Sequence, residues 1–266
     1  MPAPTEDTER AGPAQIEMRE CATIEEYEAC VRLQREVFGG PEIEISPRRH
    51  LIASRRAGGW TLGAFDLGEM VGFVHLMAGV RGGQEIIGYS HMMAILPSYQ
   101  NRGLGARLKW AQRERALREG RSYITWTWDP MQARNAHFNL NRLGATVSSY
   151  GVNFYGTDYV APAEGTTERT GIDSDRLFAD WDLNSPRVVE RALALSTVEP
   201  GAGASAIEIP ADWRALLASD AKTARREQLR VREEFKSAFA SGLVCAGFDR
   251  DPHHPRYLLY ESQTLG

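Results

Sequence analysis

Residues 97–110 read PSYQNRGLGARLKW. An apolar stretch, MMAIL (92–96), runs into them, and a pattern with Leu104, Leu108 and Ala111 on one helical face runs out. Between the two stand Gly103 and Gly105, with Arg102 immediately ahead. Glycines so placed let the backbone tighten and aim N–H groups at one point. The following helix presents its unpaired amides and positive dipole end to the same point. The stretch predicts an anion site at a strand-to-helix turn.

Two common phosphate loops fail here. A nucleoside-triphosphate loop needs G-x-x-x-x-G-K-[ST], and the chain contains no Gly-Lys pair. A dinucleotide fingerprint needs G-x-G-x-x-G opening a βαβ unit, but the third position is Leu108 and three strands of antiparallel pattern come first. The spacing that fits is [QR]-x-x-G-x-[GA], met as Gln100-Asn101-Arg102-Gly103-Leu104-Gly105. It brings backbone amides close to a pyrophosphate, and Arg102 can add a charge-assisted contact.

Outward from the turn, WTLGAFD (60–66), MVGFVHLMAGV (70–80) and EIIGYSHMMAIL (85–96) read as strands, the first two joined by a short turn at Leu67-Gly68-Glu69. Before them IEMREC is a short strand. Thr23 with Glu26 makes a capping box that opens a helix running to Gly39-Gly40, and Ser46-Pro47 predicts the start of a second. After the helix of 101–119 come a strand, SYITWTW (122–128), a short helix, RNAHFNLNRLGA (134–145), and one or two strands in TVSSYGVNFYG (146–156). Residues 1–14 predict a disordered lead and 161–170 a linker. Beyond the linker RLFADWDL alternates as a strand, 210–241 reads as one helix, and LVCAGF and RYLLY close as a hairpin around Asp-Pro-His-His-Pro. The expectation is a mixed α/β domain over 15–160 and a smaller α+β unit over 171–266.

At the turn and its surroundings, over roughly residues 16 to 156, the sequence resembles the GNAT superfamily of acyl-CoA-dependent N-acyltransferases. More narrowly, WTWDPMQARNAHFNLNRLGA with DSDRLFADWDLNSPRV is similar to a two-part, poorly described group of predicted acyltransferases within it. The resemblance implies a mostly antiparallel mixed sheet flanked by helices. It implies that acetyl-CoA or another acyl-CoA is the co-substrate, held at Gln100, Asn101, Arg102, Gly103, Leu104, Gly105 and Ala106. The strand at Met93, Ala94 and Ile95 would splay from the strand of 123–128 and pair with the pantetheine amides. Asn135 would contact the pantetheine arm, although its position suits a helix cap equally.

Amide formation from a thioester needs a base for the amine, stabilisation of an oxyanion and a proton for the leaving thiolate. The resemblance would place a tyrosine acid where this chain has Leu140. The acid then comes from Tyr150 or Tyr155, or the thiolate leaves unaided. On the strand before the turn, strict alternation puts Tyr89, His91, Met93 and Ile95 on one face. His91 and Glu85 are the candidate bases, and a packed histidine bonded to a carbonyl is the alternative for His91. His75 shares that ambiguity, His137 either caps its helix or lines the cleft, and His253 and His254 read as a solvated turn. Trp126 and Trp128 share a face and either pack the core or shape the acyl end of a substrate pocket. Asp129 either meets an ammonium group or forms the turn before Pro130. Arginines 225, 226, 230 and 232 read as a solvated helix face, or supply one contact to a carboxylate or phosphate.

Composition bounds the rest. With 266 residues, 42% hydrophobic and 25% charged, the chain has the makeup of a globular protein with a sizeable core. A net charge of −4 gives no case for nucleic acid or an anionic membrane as partner. Three cysteines without a C-x-x-C pair suit a reducing cytoplasm, and no histidine pair has metal-ligand spacing, so no metal is expected. The acceptor expected is a small-molecule amine, possible amino acids included, with acetyl as default donor group and succinyl as alternative. A non-catalytic acyl-CoA sensor is the competing class, and the protein is expected as a monomer or homodimer.

Overall fold

A computed structural model describes residues 16–39, 41–157, 171–194 and 201–264. The lead expected over 1–14 and the linker expected over 161–170 lie outside the described residues.

The three strand patterns upstream of the turn form a meander. β1 (Glu17–Glu20) covers the edge of β2 (Trp60–Asp66), which turns through Leu67-Gly68 into β3 (Glu69–Arg81), and β3 pairs with β4 (Glu85–Ile95). Leu67 and Gly68 sit at φ 48° and 87°, the left-handed pair whose twist matches that of the strands. Between β1 and β2 come α1 (Ile24–Phe38) and α2 (Arg48–Arg56). The capping box of α1 forms as expected, with Glu26 N–H donating to Thr23 Oγ1 at 3.3 Å and Thr23 N–H to Glu26 Oε2 at 3.1 Å. Ser46 does not cap α2, whose cap position is held by Pro47. Its backbone is instead bound by Gln34 of α1: Ser46 N–H donates to Oε1 at 2.9 Å, and Nε2 donates to Ser46 O at 3.2 Å.

After the glycine turn come α3 (Leu104–Arg118), β5 (Tyr123–Trp128), α4 (Ala133–His137), a π turn over 138–142 and the two-residue β6 (Tyr150–Gly151). The chain continues through β7 (Arg176–Asp182), α5 (Pro186–Ala194), β8 (Ser205–Glu208), α6 (Trp213–Ser219), α7 (Ala221–Ala240), β9 (Leu243–Asp249) and β10 (Arg256–Glu261). The seven-stranded sheet runs β1-β2-β3-β4-β5-β7-β6, and β4 with β5 is its parallel pair. A second, antiparallel sheet runs β8-β10-β9. The mixed, mostly antiparallel sheet flanked by helices is the architecture expected from sequence.

Two expectations about the C-terminal part need correction. The sequence pattern puts the strand of 176–182 in the smaller C-terminal unit, but β7 lies inside the main sheet, antiparallel to β5 from Tyr123↔Asp182 to Trp128↔Leu177. Its alternation is what seats it there, since Leu177, Ala179 and Trp181 are all fully buried. One core runs from Trp60 through Leu108, Ile124 and Trp126 to Val231, Phe235 and Tyr257, so apolar packing is continuous from the main sheet to α7 and β10. The helix expected over 210–241 is two helices, because Asp220 ends α6 and caps α7, its side chain accepting Thr223 N–H at 2.9 Å. Among the described residues no helix is long and apolar enough to cross a membrane.

The π turn is fastened to the second sheet by one amide. Asn141 is buried, its Nδ2 donating to Phe248 O and its Oδ1 accepting Phe248 N–H, both at 2.9 Å. From α5, Arg187 donates to the carbonyls of Gly144 and Leu140 at 3.1 and 3.0 Å, and Arg191 to Asn141 O at 2.8 Å. Asn141→Ala would leave a buried N–H and a buried C=O of Phe248 without partners, at roughly 1–3 kcal/mol each. Urea unfolding of that variant should show a loss of about 3 kcal/mol, and an unchanged midpoint would refute the clamp.

Candidate functional site

β4 and β5 are neighbours for two residue pairs alone, Gly88↔Ile124 and Tyr89↔Thr125. Beyond them the strands part, and the β5-facing backbone of β4 from Ser90 onward has no strand beside it. At the open end lies the glycine turn. Asn101 and Gly103 take left-handed conformations, φ 60° and 78°, and α3 begins at Leu104. The backbone N–H groups of residues 101–106 donate to no acceptor among the described residues. Those of residues 103–106 are the donors that any helix leaves at its start, and Asn101 and Arg102 extend the row by two, an arrangement that suits an anion. A Cβ at Gly105 would fit only closely, 3.3 Å from Ile95 Cδ1 and in ordinary contact with Met93 Cε at 3.6 Å. A cavity of ≈ 770 Å³ opens against this turn, walled by Met93 and Ile95 of β4, by α4 and by the β9–β10 turn. That volume lies within the usual range of small-molecule sites.

Several expected residues meet there. Gln100, Asn101, Gly103, Leu104, Gly105, Ala106 and Asn135 all line the cavity, as does His137. Asn135 does not cap α4, because Gln132 holds the cap position. Gln100 acts by tying elements together: its Nε2 donates to Ile95 O at 2.9 Å and its Oε1 accepts from Arg134 at 3.4 Å. Arg102 does not line the cavity; it is exposed, its guanidinium 5.9 Å from the centre of the Tyr99 ring.

The expected face of β4 is wrong by one residue, and a β-bulge is the reason. His75 pairs with Met92 while Leu76 pairs with Ser90, leaving His91 as an extra residue in the strand. The bulge reverses the alternation. Met93 and Ile95 face the cavity and α3, whereas His91 packs toward α2 on the opposite face, its ring 5.6 Å from that of His50. Ala94 also leaves the cavity side and is buried with Cys30, Leu51 and Phe73 under α1 and α2.

On the His91 face three imidazoles gather: His50 and His75 are 5.7 Å apart, and His75 and His91 are 6.2 Å apart. His75 is fully buried, its Nδ1 2.8 Å from Thr61 Oγ1, with Nε2 unpartnered. Burial and the neighbouring His91 and His50 push its pKa down to about 3. His91 reaches solvent, with Nε2 3.4 Å from Ser46 Oγ, and desolvation and His50 hold its pKa below the usual histidine value. Among the described residues no group of three or more His, Cys, Asp or Glu side chains is arranged to hold a metal ion. Beside His91 the hydroxyls of Tyr89 and Tyr155 lie 3.3 Å apart, and Tyr155 OH is 3.4 Å from Thr127 Oγ1 on β5. Tyr155 therefore bridges the two strands where they part.

The remaining candidates are committed elsewhere. Glu85 holds Arg81 at 2.6 Å, at the closed end of β4 and about 20 Å along the strand from His91 at roughly 3.3 Å per residue. Tyr150 donates to Asp175 at 2.7 Å and stacks on Phe235. Trp126 and Trp128 are core residues, the first donating to Asn139 and the second to Tyr257, each at 3.3 Å. Asp129 forms the turn, accepting Met131 N–H at 2.9 Å. Leu140 is fully buried in the π turn. Of the arginines on α7, Arg232 grips Asp173 and Asp175, Arg230 grips Glu227 and Glu234, Arg225 donates to Gly171 O, and Arg226 leans on Thr223.

A sequence profile described as Acetyltransferase (GNAT) family matches residues 26–144, the span that holds the splayed strands and the turn. Residues 26–144 are similar to the GNAT acetyltransferase domain. Acyl transfer from an acyl-CoA is the chemistry this family supports. Among solved structures, an acetyltransferase assigned to the GNAT family from Desulfovibrio desulfuricans superposes with a TM-score of 0.51 at 15% identity, covering 63% of this chain and 99% of its own. The NatC complex bound to Gag peptide and CoA superposes with a TM-score of 0.50 at 13% identity, covering 63% of this chain and 98% of its own. These likenesses show the fold. A search of curated protein sequences gives no match.

One feature of this span carries no sequence signal. Lys109, one helical turn beyond Gly105, is buried, its Nζ 3.0 Å from Ser90 Oγ, 2.8 Å from Gln112 Oε1 and 3.7 Å from the centre of the Trp126 ring. Burial holds its amine well below the usual lysine value. A lysine on a helical pattern reads as solvent-facing, so only packing reveals it.

The depressed pKa of His75 has a stability consequence. Unfolded, the ring titrates near 6.5, so between about 6.5 and about 3 the unfolded chain holds the extra proton and stability falls as pH falls. Urea unfolding of wild type between pH 7 and 4 should lose stability more steeply than His75→Gln, by up to about 1.4 kcal/mol per pH unit. Parallel curves would show that His75 protonates freely in the fold.

Proposed function

We propose that the protein is an N-acyltransferase that moves an acyl group, acetyl by default, from acyl-CoA to a small-molecule amine by direct attack on the thioester. The observation that carries this reading is the row of six unpaired amides at residues 101–106, at the head of a cavity that follows the free edge of β4. The amides would take the pyrophosphate. From Ile95 back to Ser90 the strand spans about 16 Å at roughly 3.3 Å per residue, which suits a pantetheine arm pairing its amides with the exposed backbone. The thioester would then lie where β4 and β5 part.

The two faces divide the work. The donor enters from the α3 face, and the amine approaches from the face of His91 and Tyr155. His91, uncharged at neutral pH because desolvation and His50 oppose its protonation, takes a proton from the attacking amine directly or through water. The C–N bond forms as the carbonyl becomes an oxyanion. Collapse of that intermediate breaks the C–S bond, and Tyr155, placed across the parting strands by Tyr89 and Thr127, protonates the thiolate. Tyr155 is favoured over Tyr150 because the latter's hydroxyl is already donated to Asp175. Buried Leu140 leaves no acid on the π turn.

A CoA-release assay over a panel of amines, with acetyl-CoA and succinyl-CoA as donors, tests the reading. His91→Gln should lower kcat/KM by about 10²–10⁴-fold. It should also remove the acidic limb of the pH profile, while leaving CoA binding intact. Tyr155→Phe should lower kcat with little change in KM. Tight CoA binding without turnover of any amine, unaffected by either substitution, would instead identify an acyl-CoA sensor.

A further inference from the structure

The cavity carries more positive charge than the glycine turn accounts for. Three guanidinium groups line it, from Arg134, Arg142 and Arg250, against one carboxylate, Asp251, in a chain of net charge −4. Asp251 is occupied within its own turn, where its Oδ1 accepts the N–H groups of His253 and His254 at 2.8 and 2.9 Å. Arg134 rests on Gln100 Oε1 at 3.4 Å. Arg142 and Arg250 have neither a hydrogen-bond nor an ion-pair partner among the described residues. Asp249, the carboxylate next to Arg250 in sequence, is taken by Arg256 at 2.8 Å.

The two unpartnered arginines are not placed independently. Arg142 follows Asn141 by one residue and Arg250 follows Phe248 by two, and Asn141 and Phe248 are joined by the reciprocal bonds at 2.9 Å. The clamp that fastens the π turn to β9 thereby brings both guanidinium-bearing segments to the same cavity wall. Beside them Pro252 and Pro255 add apolar surface. This wall belongs to the cavity of Met93 and Ile95, on the side of β4 away from His91, so an anion here is part of the donor and not of the acceptor amine.

We propose that Arg142 and Arg250 form a second phosphate site, supplied largely by the C-terminal hairpin, which takes the 3′-phosphate of coenzyme A while Pro252 and Pro255 flank its adenosine. The inference rests on the acyl-CoA reading above and, through Arg250, Pro252 and Pro255, extends it to a part of the chain outside the span of 26–144 matched by the family profile. The amides of 101–106 serve one pyrophosphate; the 3′-phosphate is a separate dianion, and planar guanidinium forks match its oxygens two at a time. The hairpin would then act as the clasp that distinguishes coenzyme A from carriers with the same pantetheine arm but no 3′-phosphate.

Isothermal titration of the full chain with CoA and with dephospho-CoA separates the possibilities. Wild type should bind CoA at least tenfold more tightly than dephospho-CoA. In the double variant Arg142→Gln, Arg250→Gln, CoA affinity should fall to the dephospho-CoA level while dephospho-CoA affinity stays unchanged. Equal wild-type affinity for the two ligands would overturn the clasp, and so would an equal weakening of both in the variant. Failure of wild type to bind either ligand would overturn the acyl-CoA reading itself, so the two failures are distinguishable.

Discussion

Everything in the site depends on a parallel strand pair that is given up after two residues. Adjacent strands normally continue pairing, because an interior backbone N–H or C=O without a partner costs on the order of 1–3 kcal/mol. Here β4 and β5 pair at Gly88 and Tyr89 and then part. The crossover between them, α3, starts from the glycine turn at the open end and packs Leu104 and Leu108 into the core. The slot is thus a consequence of strand direction and helix placement, and its edges ask for a ligand rich in amides. The turn adds the charge preference. A donor with a peptide-like arm behind a pyrophosphate answers both demands.

The sequence made the frame legible because its signals were local. Strand alternation, the Thr23–Glu26 box, the Leu67-Gly68 turn and the Gln100–Gly105 spacing each act within a few residues, and each appears where the pattern put it. What escaped was non-local. One extra residue at His91 exchanges the faces of everything after it, and composition gives no warning of a bulge whose cause lies in its pairing with His75 and Leu76. The place of β7 depended on which edge of β5 stood open. Arg142 and Arg250 acquire meaning only through the contact of Asn141 with Phe248, residues 107 apart in sequence.

The same bulge organises the chemistry. By turning Met93 and Ile95 toward α3 and His91 toward α2, it would, in the proposed reading, let one strand serve the donor on one side and the amine on the other. Lys109 lies on the α3 side, under Ser90 and Trp126, where burial holds its amine well below the usual lysine value. On the other side, burial and neighbouring imidazoles hold His75 and His91 below the usual histidine value. The arginines that line the cavity stand instead on the wall formed by α4, the π turn and the β9–β10 turn.

The insertion of β7 next to β5 bears on where the chain can be divided. Composition invites a cut between the two expected units, but such a cut would strip β5 of its antiparallel partner from Tyr123 to Trp128. A six-residue run of β-forming side chains, YITWTW, would then present a bare row of backbone donors and acceptors along one edge. Bare edges of that composition template pairing with other chains. The second half of the protein is in this sense an internal guard, which keeps the strand beside the slot from recruiting neighbours of its own kind.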